Sequence, residues 1–390
     1  MKPYSLLLKL TVKSLASAAL LLAFNSCSMM EEDRTDCPTG LYVNFKYDYN
    51  IQRADMFTDH VGGVSVYVFD EDNHLIMRKD VANAEDGSSM PLRNHDYQMH
   101  FTQEELPEGN YRLYAMAFQK DYDRALQTEG AKYRRTELNK GDEIEKLAVS
   151  LDYQTSGDGT TAEVVHESQP LDTLWMTLPG NEHRVTLKKD CPTYETIGLI
   201  RDTKQLNLTL RQTVDPTDMS DDMYDVKIID KNGKLLYDNS TDPATPTLTY
   251  TPWARWTSQM STGSAAASVS PQAEGDTDNE NSDETGTETP ANIIKTAHYE
   301  LDFNRLVMEN AAKLLVTKKE TGETIIDINL PAMLANGRNA YENTNYSSQE
   351  YLDRENEFHL DFFLSGNKWQ YVSVRIDVLG WAVRIQNVEL

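Results

Sequence analysis

Alternation of apolar and polar residues is the feature that most restricts the fold of this 390-residue chain. Leu41–Tyr47 places an apolar side chain at every second position, and Val64–Asp70 is a β-branched and aromatic run. Successive side chains of a strand point to opposite faces of a sheet, so a period of two indicates strands with one buried face. Comparable segments recur as far as Tyr371–Val378, and helical patterns are few and short. The sequence therefore predicts an all-β protein made of β-sandwiches.

A hairpin pattern occurs twice along the chain. Val64–Arg78 turns on Asp and Asn residues, and Asp225–Tyr237 contains Asn232-Gly233, a pair that provides the positive φ angles of a tight turn. Each pattern follows the first strand of its half of the chain. This predicts two tandem domains, an N-terminal β-sandwich at 38–190 and a C-terminal β-sandwich at 191–390. Chance recurrence of a common hairpin is the alternative.

One internal segment, about 258–292, differs in composition from its surroundings. It is rich in Ser, Thr, Ala, Gly and acids, and it has no Lys or Arg. Such a segment buries too little apolar surface to offset the entropy lost on ordering. We therefore predict a disordered acidic insertion within the C-terminal sandwich, because strand patterns resume at Ile293.

The first 26 residues have the form of an export signal. An apolar run, Leu15–Phe24, is preceded by Lys2, Lys9 and Lys13, and the segment contains no acid. The run is shorter than the roughly 20 apolar residues that a membrane-spanning helix needs. We therefore expect residues 1–26 to be a cleaved signal peptide.

Cys27 would then be the first residue of the mature chain, where a bacterial lipoprotein signal peptidase cuts. We expect acyl chains (palmitate is typical) on Cys27 and a lipidated tether at 27–37, which places the protein at the cell outer membrane, exposed at the surface. Each buried methylene of such chains contributes about 0.8 kcal/mol to anchoring. The alternative is a stray cysteine beside the cleavage site. The acids Glu31–Asp33 resemble the export tags of surface lipoproteins, or form a solvated linker.

Two further cysteines, Cys37 and Cys191, each precede Pro-Thr. In an oxidising compartment such a pair can form a disulfide, which would tie the start of the first domain to its junction with the second. Two unpaired thiols are the alternative.

Charge and motifs exclude several classes of function. The formal charge of −25 becomes more negative when the lysines of the signal are removed, so the chain should repel nucleic acid. No catalytic, phosphate-binding or metal-binding motif occurs, so we expect no enzyme, cofactor or metal. The acid-rich segments Asp70–Asn73 and Asp215–Asp222 lack the calcium-loop pattern and are interpreted as solvated turns. Trp253 and Trp256 either form a sugar platform or seal a sandwich edge.

Several segments, taken in order, resemble a known family. Asp36–Tyr47 follows the lipoprotein signal, Val64–Asp70 and Leu106–Tyr111 come next, and Val372–Arg384 lies near the C-terminus. This order resembles the fimbrillin-associated anchor family, lipoproteins of type V pili in Gram-negative bacteria. The resemblance implies two transthyretin-like β-sandwich domains and a place at the base of a pilus.

The resemblance also implies a non-enzymatic role. Such a protein contacts other pilus (fimbrial) subunits by β-strand addition and supports adhesion, as an anchor or a minor subunit. An anchor must keep its N-terminus, because the lipid is attached there. The strands at Tyr371–Leu390 are candidates for subunit contact, or they are ordinary strands of the second domain. A glycan-binding surface lipoprotein is the main alternative function, and a secreted hydrolase is a further one.

Overall fold

The computed structural model describes residues 38–157, 159, 161–180, 182–262, 292–340, 345–376 and 381–386. The predicted signal, the tether with Cys27 and Cys37, and most of the predicted insertion lie outside these residues. Within them strands predominate, and the predicted all-β class is confirmed.

Twenty-three strands run through the described residues. In chain order, the first twelve are β1 (Gly40–Lys46), β2 (Gly63–Phe69), β3 (Leu75–Ala82), β4 (Met99–Phe101), β5 (Gly109–Phe118), β6 (Tyr133–Arg135), β7 (Ala148–Leu151), β8 (Gln154–Thr155), β9 (Thr161–Glu163), β10 (Leu174–Thr177), β11 (His183–Leu187) and β12 (Pro192–Arg201). The others are β13 (Lys204–Gln212), β14 (Tyr224–Asp230), β15 (Lys234–Leu236), β16 (Thr247–Tyr250), β17 (Ala254–Thr262), β18 (Asn292–Phe303), β19 (Lys313–Lys318), β20 (Thr324–Asn329), β21 (Glu357–Ser365), β22 (Lys368–Ile376) and β23 (Trp381–Gln386).

The N-terminal half is organised around an eight-stranded sheet with the order β3-β2-β5-β10-β12-β1-β4, in which β11 also pairs with β5. Alternate residues of β1, such as Leu41 and Val43, share one core with Val64 and Val66 of β2. Every residue of β2 is buried, because Tyr67 on its other face belongs to a second core. The β-branched and aromatic composition of this strand fits burial on both faces.

The C-terminal half is a sandwich of two six-stranded sheets. One of them, the C-terminal sheet, has the order β17-β18-β13-β21-β22-β23. The other has the order β20-β19-β14-β16-β9-β8. Leu208 of β13 and Leu360 of β21 share a core with Val226 of β14 and Val316 of β19. The apolar alternation of these strands is therefore buried between the two sheets.

Strands from the two halves complete each other's sheets. β15 pairs with β7 in a three-stranded sheet with β6, and β9 pairs in parallel with β16. The predicted boundary at 190/191 precedes β12, which lies between β10 and β1 in the N-terminal sheet. The chain passes into the C-terminal sheet between Arg201 and Lys204, one strand later than predicted, because β12 fills the position beside β1.

The two predicted hairpins have different outcomes. Val64–Arg78 forms the hairpin β2–β3, and the carboxylate of Asp70 accepts a hydrogen bond from the His74 N–H at 2.8 Å. The second prediction was wrong, because β14 pairs with β16 and β19 whereas β15 pairs with β7. Asn232 is fully buried there, and its side-chain N–H groups donate to the Asn304 and Arg305 carbonyls. These bonds direct the chain away from β14.

The helices are short: α1 (Phe57–His60), α2 (Tyr122–Ala125), α3 (Leu330–Leu334) and α4 (Ser348–Arg354). Ser347 caps α4 by accepting a hydrogen bond from the Glu350 N–H at 3.1 Å. Over the described ranges, no helix has the length and hydropathy needed to cross a bilayer.

Candidate attachment and interaction surfaces

The described chain enters the fold at Gly40, the first residue of β1. Its φ is +87°, and a Cβ built there would lie 2.3 Å from the Phe101 carbonyl oxygen of β4. Only glycine can adopt this positive φ and also leave room for the carbonyl oxygen without strain. The strand that follows the predicted lipid tether is thus held at a fixed position, between β4 and β12.

β1 and β12 form a parallel ladder of seven residue pairs, from Gly40↔Pro192 to Lys46↔Gly198. The chain therefore enters β1 at one end of the ladder and leaves β12, toward β13, at the other end. A force applied between the N-terminus and the C-terminal sheet would load the ladder in shear. In that geometry the inter-strand hydrogen bonds share the load, and they do not open one at a time.

Cys191 lies immediately before this ladder. Its side chain is exposed and its thiol is free in the part of the chain that the structure describes. Pro192 is the register partner of Gly40. Because Cys37 lies outside the described residues, the Cys37–Cys191 disulfide stays a prediction.

A buried ionic junction lies where the chain leaves the N-terminal sheet and begins β13. Lys204 is fully buried, and its ammonium group donates to the Asp353 and Glu355 carbonyl oxygens, both at 2.8 Å. The Arg305 guanidinium donates to both carboxylate oxygens of Asp353 at 2.8 Å. Asp202 accepts from the side-chain N–H of Asn239 at 2.9 Å. This polar network is therefore extensively hydrogen-bonded although it lies away from solvent.

Burial is the main cause of the pKa shifts in this junction. Burial raises the pKa of Asp202, an effect that the nearby Arg305 guanidinium opposes. Burial lowers the pKa of Lys204, although Asp353 and Asp202 favour its charged form. These residues were not singled out by sequence reasoning. The only sequence signal was the polar interruption Asp202–Lys204 between two apolar strand patterns.

The C-terminal sheet ends in β17 on one side and β23 on the other. β17 pairs with β18 over nine consecutive residue pairs without a register shift. It contains no Pro and no Lys. Three other edge strands carry features that usually discourage pairing with another chain: β3 has a register shift and adjacent charges at Arg78–Asp80, β20 pairs through a register shift, and β4 has three residues.

Most of the exposed large apolar side chains lie on the hairpin β17–β18 or on the loop that contacts it. Six large apolar residues are exposed over the described ranges, and four of them lie on β17, on β18 or on the loop after β13. That loop is held against β18, because the Lys295 N–H donates to the Pro216 carbonyl oxygen at 2.8 Å. The four residues are Val214, Trp256, Met260 and Ile293.

The two tryptophans considered as a sugar platform are not brought together. Trp256 is 44% exposed and stacks on His298, with ring centroids 5.0 Å apart and an interplanar angle of 11°. Trp253 instead lines a small cavity of about 10 Å³ with Tyr250 and Asp302, room for about one water molecule. Trp253 is thus part of the sandwich closure, and Trp256 belongs to the outer surface.

The acid-rich segments behave as turns. Asp215 accepts hydrogen bonds from the N–H and the hydroxyl of Thr217, at 3.3 and 2.7 Å, and Asp70 caps its own turn. In the described part of the chain, no group of three or more His, Cys, Asp or Glu side chains is arranged to hold a metal ion.

The C-terminal strands predicted for subunit contact lie in the sheet of the second sandwich. β22 pairs antiparallel with β21, and β23 pairs with β22 as the last described strand. β21 in turn pairs in parallel with β13. The described part of Tyr371–Leu390 therefore consists of sheet strands, one of which lies at an edge.

Comparison with known proteins agrees with this architecture. The family model of the fimbrillin-A associated anchor proteins Mfa1 and Mfa2 matches residues 34–387. No curated relative matches the chain. A solved structure from Bacteroides thetaiotaomicron, whose description proposes polysaccharide binding, is 26% identical with a TM-score of 0.64, covering 90% of this chain and 99% of that one.

Two further structures share the fold. A protein from the same species, described as a candidate adhesin, is 24% identical with a TM-score of 0.65, over 90% of this chain and 99% of that one. The fimbrial anchor protein Mfa2 of Porphyromonas gingivalis is 18% identical with a TM-score of 0.55, over 89% and 99% of the two chains. Since the family model spans most of its length, this chain belongs to the fimbrillin-A associated anchor protein family.

Proposed function

We propose that this protein is a non-enzymatic outer-membrane lipoprotein that anchors a fimbria or forms one of its minor subunits, contacts other subunits by β-strand addition and supports adhesion. The membrane end is the acylated Cys27, and the fibre end is the C-terminal sheet. Membership of the anchor family supports this assignment.

The observation that carries the proposal is the path by which force would cross the molecule. A pull on the tether enters β1, crosses the seven-pair ladder to β12, and continues through the chain into β13 at the centre of the C-terminal sheet. β13 is itself paired on both sides, with β18 and β21. Such a path suits a protein that holds a fibre on a membrane, because each step is a backbone link or a ladder loaded along its strands.

The buried junction supports the same function. Lys204, Arg305 and Asp353 connect the start of β13 with the segment before β19 and with α4. Removing one partner of a buried ion pair costs about 3–5 kcal/mol, so the start of β13 resists displacement from the C-terminal half as long as the network is complete. We propose that the junction keeps the start of β13 in place under load.

A second candidate function, glycan binding, has a specific basis. The outer face of the C-terminal sheet carries two stacked aromatic pairs, Trp256–His298 and Phe363–Tyr371, the latter with ring centroids 4.3 Å apart. The Arg211 guanidinium lies 5.8 Å from the Phe363 ring centroid. Flat aromatic faces beside polar groups suit sugar rings, and polysaccharide binding is proposed in the description of the B. thetaiotaomicron structure.

Affinity purification from the native envelope tests the proposal. The full-length tagged protein would be expressed in its own cells, recovered from solubilised outer membranes, and its partners identified by mass spectrometry. An unrelated outer-membrane lipoprotein with the same tag is the control. We expect fimbrial subunits with this protein alone. Recovery of glycan-uptake components without any fimbrial subunit would contradict the anchor function and favour the second candidate.

A further inference from the structure

We propose that β17 is a docking edge for one extended segment of another fimbrial subunit, a segment with apolar residues at alternate positions flanked by Lys or Arg. This inference rests on the proposed function and assigns the contact to a surface. It concerns the edge of the C-terminal sheet opposite β23, which sequence analysis did not single out.

The backbone of β17 provides the first argument. Nine consecutive residues, Ala254–Thr262, pair with β18 in unbroken register. β17 ends its sheet, so over the described residues its outer edge adds no further strand. Alternate N–H and C=O groups of an edge strand point outward and offer a template for another chain. Main-chain hydrogen bonds to such an edge are the source of affinity in β-strand addition.

The hairpin β17–β18 also extends beyond the sheet. The pairing of β13 with β18 ends at Arg211↔Thr296, whereas that of β17 with β18 continues to Thr262↔Asn292. The outer part of the hairpin is therefore a two-stranded ribbon, and the start of the predicted insertion at 258 lies within it. Two-stranded ribbons are marginal in water, and a third strand with an apolar face stabilises them.

The exposed side chains indicate what the third strand must carry. Met260 is 67% exposed and Trp256 is 44% exposed, and both lie on the same face of β17, four residues apart. Clustered exposed apolar residues mark interaction sites more often than isolated ones. A partner strand with apolar residues at alternate positions would cover this face by cross-strand contact.

Charge identifies the partner as basic and argues against a second copy of this chain. Asp215, Asp218 and Asp222 are exposed on the loop beside the ribbon, and Arg255 is already 3.7 Å from Asp221. The whole chain carries a formal charge of −25. Two copies would repel each other, whereas Lys or Arg flanking the docked segment would be attracted and would raise the association rate.

Site-specific photo-crosslinking in native cells tests the inference. A benzophenone amino acid would replace Met260 in the full-length protein, and, as a matched control, Met90, an exposed methionine of the N-terminal half. Both variants would be irradiated, purified from the outer membrane and analysed by mass spectrometry. We expect a covalent adduct with a fimbrial subunit from position 260 and none from position 90.

The outcomes separate this inference from the proposed function. If fimbrial subunits copurify but position 260 gives no adduct, or gives only an adduct with a second copy of this chain, the β17 assignment is wrong and the anchor function stands. If no fimbrial subunit copurifies with either variant, both fail.

A charge substitution gives an independent readout. With the photo-crosslinker at Ser258, Met260→Lys should lower the yield of the subunit adduct about ten-fold, because an edge lysine disfavours strand pairing. Met90→Lys should leave the yield unchanged. Equal yields from the two lysine variants would overturn the inference.

Discussion

The edges of the eight-stranded N-terminal sheet differ from the β17 edge of the C-terminal sheet. The N-terminal sheet closes with β4, a strand of three residues, and with β3, whose pairing contains a register shift and whose sequence carries Arg78, Lys79 and Asp80. The C-terminal sheet ends in nine regular residues of β17, beside exposed apolar side chains. Under the proposed function, the protected edges belong to the half beside the membrane tether, and the unprotected edge belongs to the half that would meet other subunits.

The places where the chain enters the two sheets show a related contrast. The N-terminal sheet receives the tether through backbone pairing of β1 with β12, which depends on the space at Gly40. The C-terminal sheet begins at an ionic network built on Lys204 and Asp353. One connection is made of backbone hydrogen bonds and the other of buried charges, so the two should respond differently to substitution and to pH.

The largest expected effect is at the buried junction. Asp353→Ala removes the partner of Arg305 and leaves its charge buried, so we expect the free energy of unfolding to fall by about 3–5 kcal/mol. The measurement is urea unfolding of the mature chain. Asp327→Ala is the control, because Asp327 pairs with Lys313 at the surface and should cost at most about 1 kcal/mol. Similar losses in both variants would argue against a network that holds the start of β13 in the C-terminal half.

Gly40→Ala tests the entry of the chain into the N-terminal sheet. A Cβ there would meet the Phe101 carbonyl oxygen at 2.3 Å, at a φ of +87°. Strain of this kind costs about 1–3 kcal/mol, with Gly40→Ala at the upper end. Gly87→Ala is a matched control, since Gly87 has a φ of +71° but no atom within 4 Å of the added Cβ. Denaturant unfolding should show the larger loss for Gly40→Ala, and equal losses would mean that the contact with β4 does not matter.

The buried acids of the C-terminal half predict its response to pH. Burial raises the pKa of Asp230, at the end of β14, to about 7, while the Lys231 N–H opposes the shift. A raised pKa in the folded state means that this acid stabilises the protein at low pH, and the contribution is lost as pH rises from about 4 to 7. Asp230→Asn should remove that loss, a difference of about 1–3 kcal/mol between pH 5 and pH 8.

Thermal unfolding at several pH values measures this effect. Asp225→Asn, on the same strand but with an exposed side chain, is the control and should keep the pH dependence of the parent protein. If the stability of the parent protein changes with pH as that of Asp230→Asn does, Asp230 does not titrate in this range.

The smallest expected effect on stability is at β17. Met260 is largely exposed, so Met260→Lys should change the free energy of unfolding by no more than about 0.5 kcal/mol. The same variant should lose subunit contact, as described above. A large loss of stability would mean that Met260 serves the fold and would remove the contrast between the two sheet edges.

The sequence predicted the strands well because their alternation is local. Leu41–Tyr47 and Val64–Asp70 overlap β1 and β2, respectively, except for one residue at each end, and the burial of β1 follows its apolar positions. The second hairpin failed because Asn232-Gly233 has the composition of a turn, but the Asn232 amide is buried against the Asn304 and Arg305 carbonyls. A turn motif does not reveal contacts with residues far along the chain.

The junction and the open edge could not be predicted for the same reason. Lys204 and Asp353 are separated by 149 positions, and nothing in either local sequence indicates the other. Which strand ends a sheet is set by the order of pairing, which here places β21 next to β13 and leaves β17 outermost. The predicted insertion at 258–292 illustrates the limit, since residues 258–262 are part of β17.

We propose that this chain holds a fimbria on the outer membrane through Cys27. The direct measurement compares fimbriae on cells and in the medium for the parent strain and for Cys27→Ala, with Cys191→Ala as the control. We expect Cys27→Ala to release both this protein and the fimbriae into the medium, while Cys191→Ala retains them on the cells. Fimbriae that stay on the cells after Cys27→Ala has released this protein would contradict the claim.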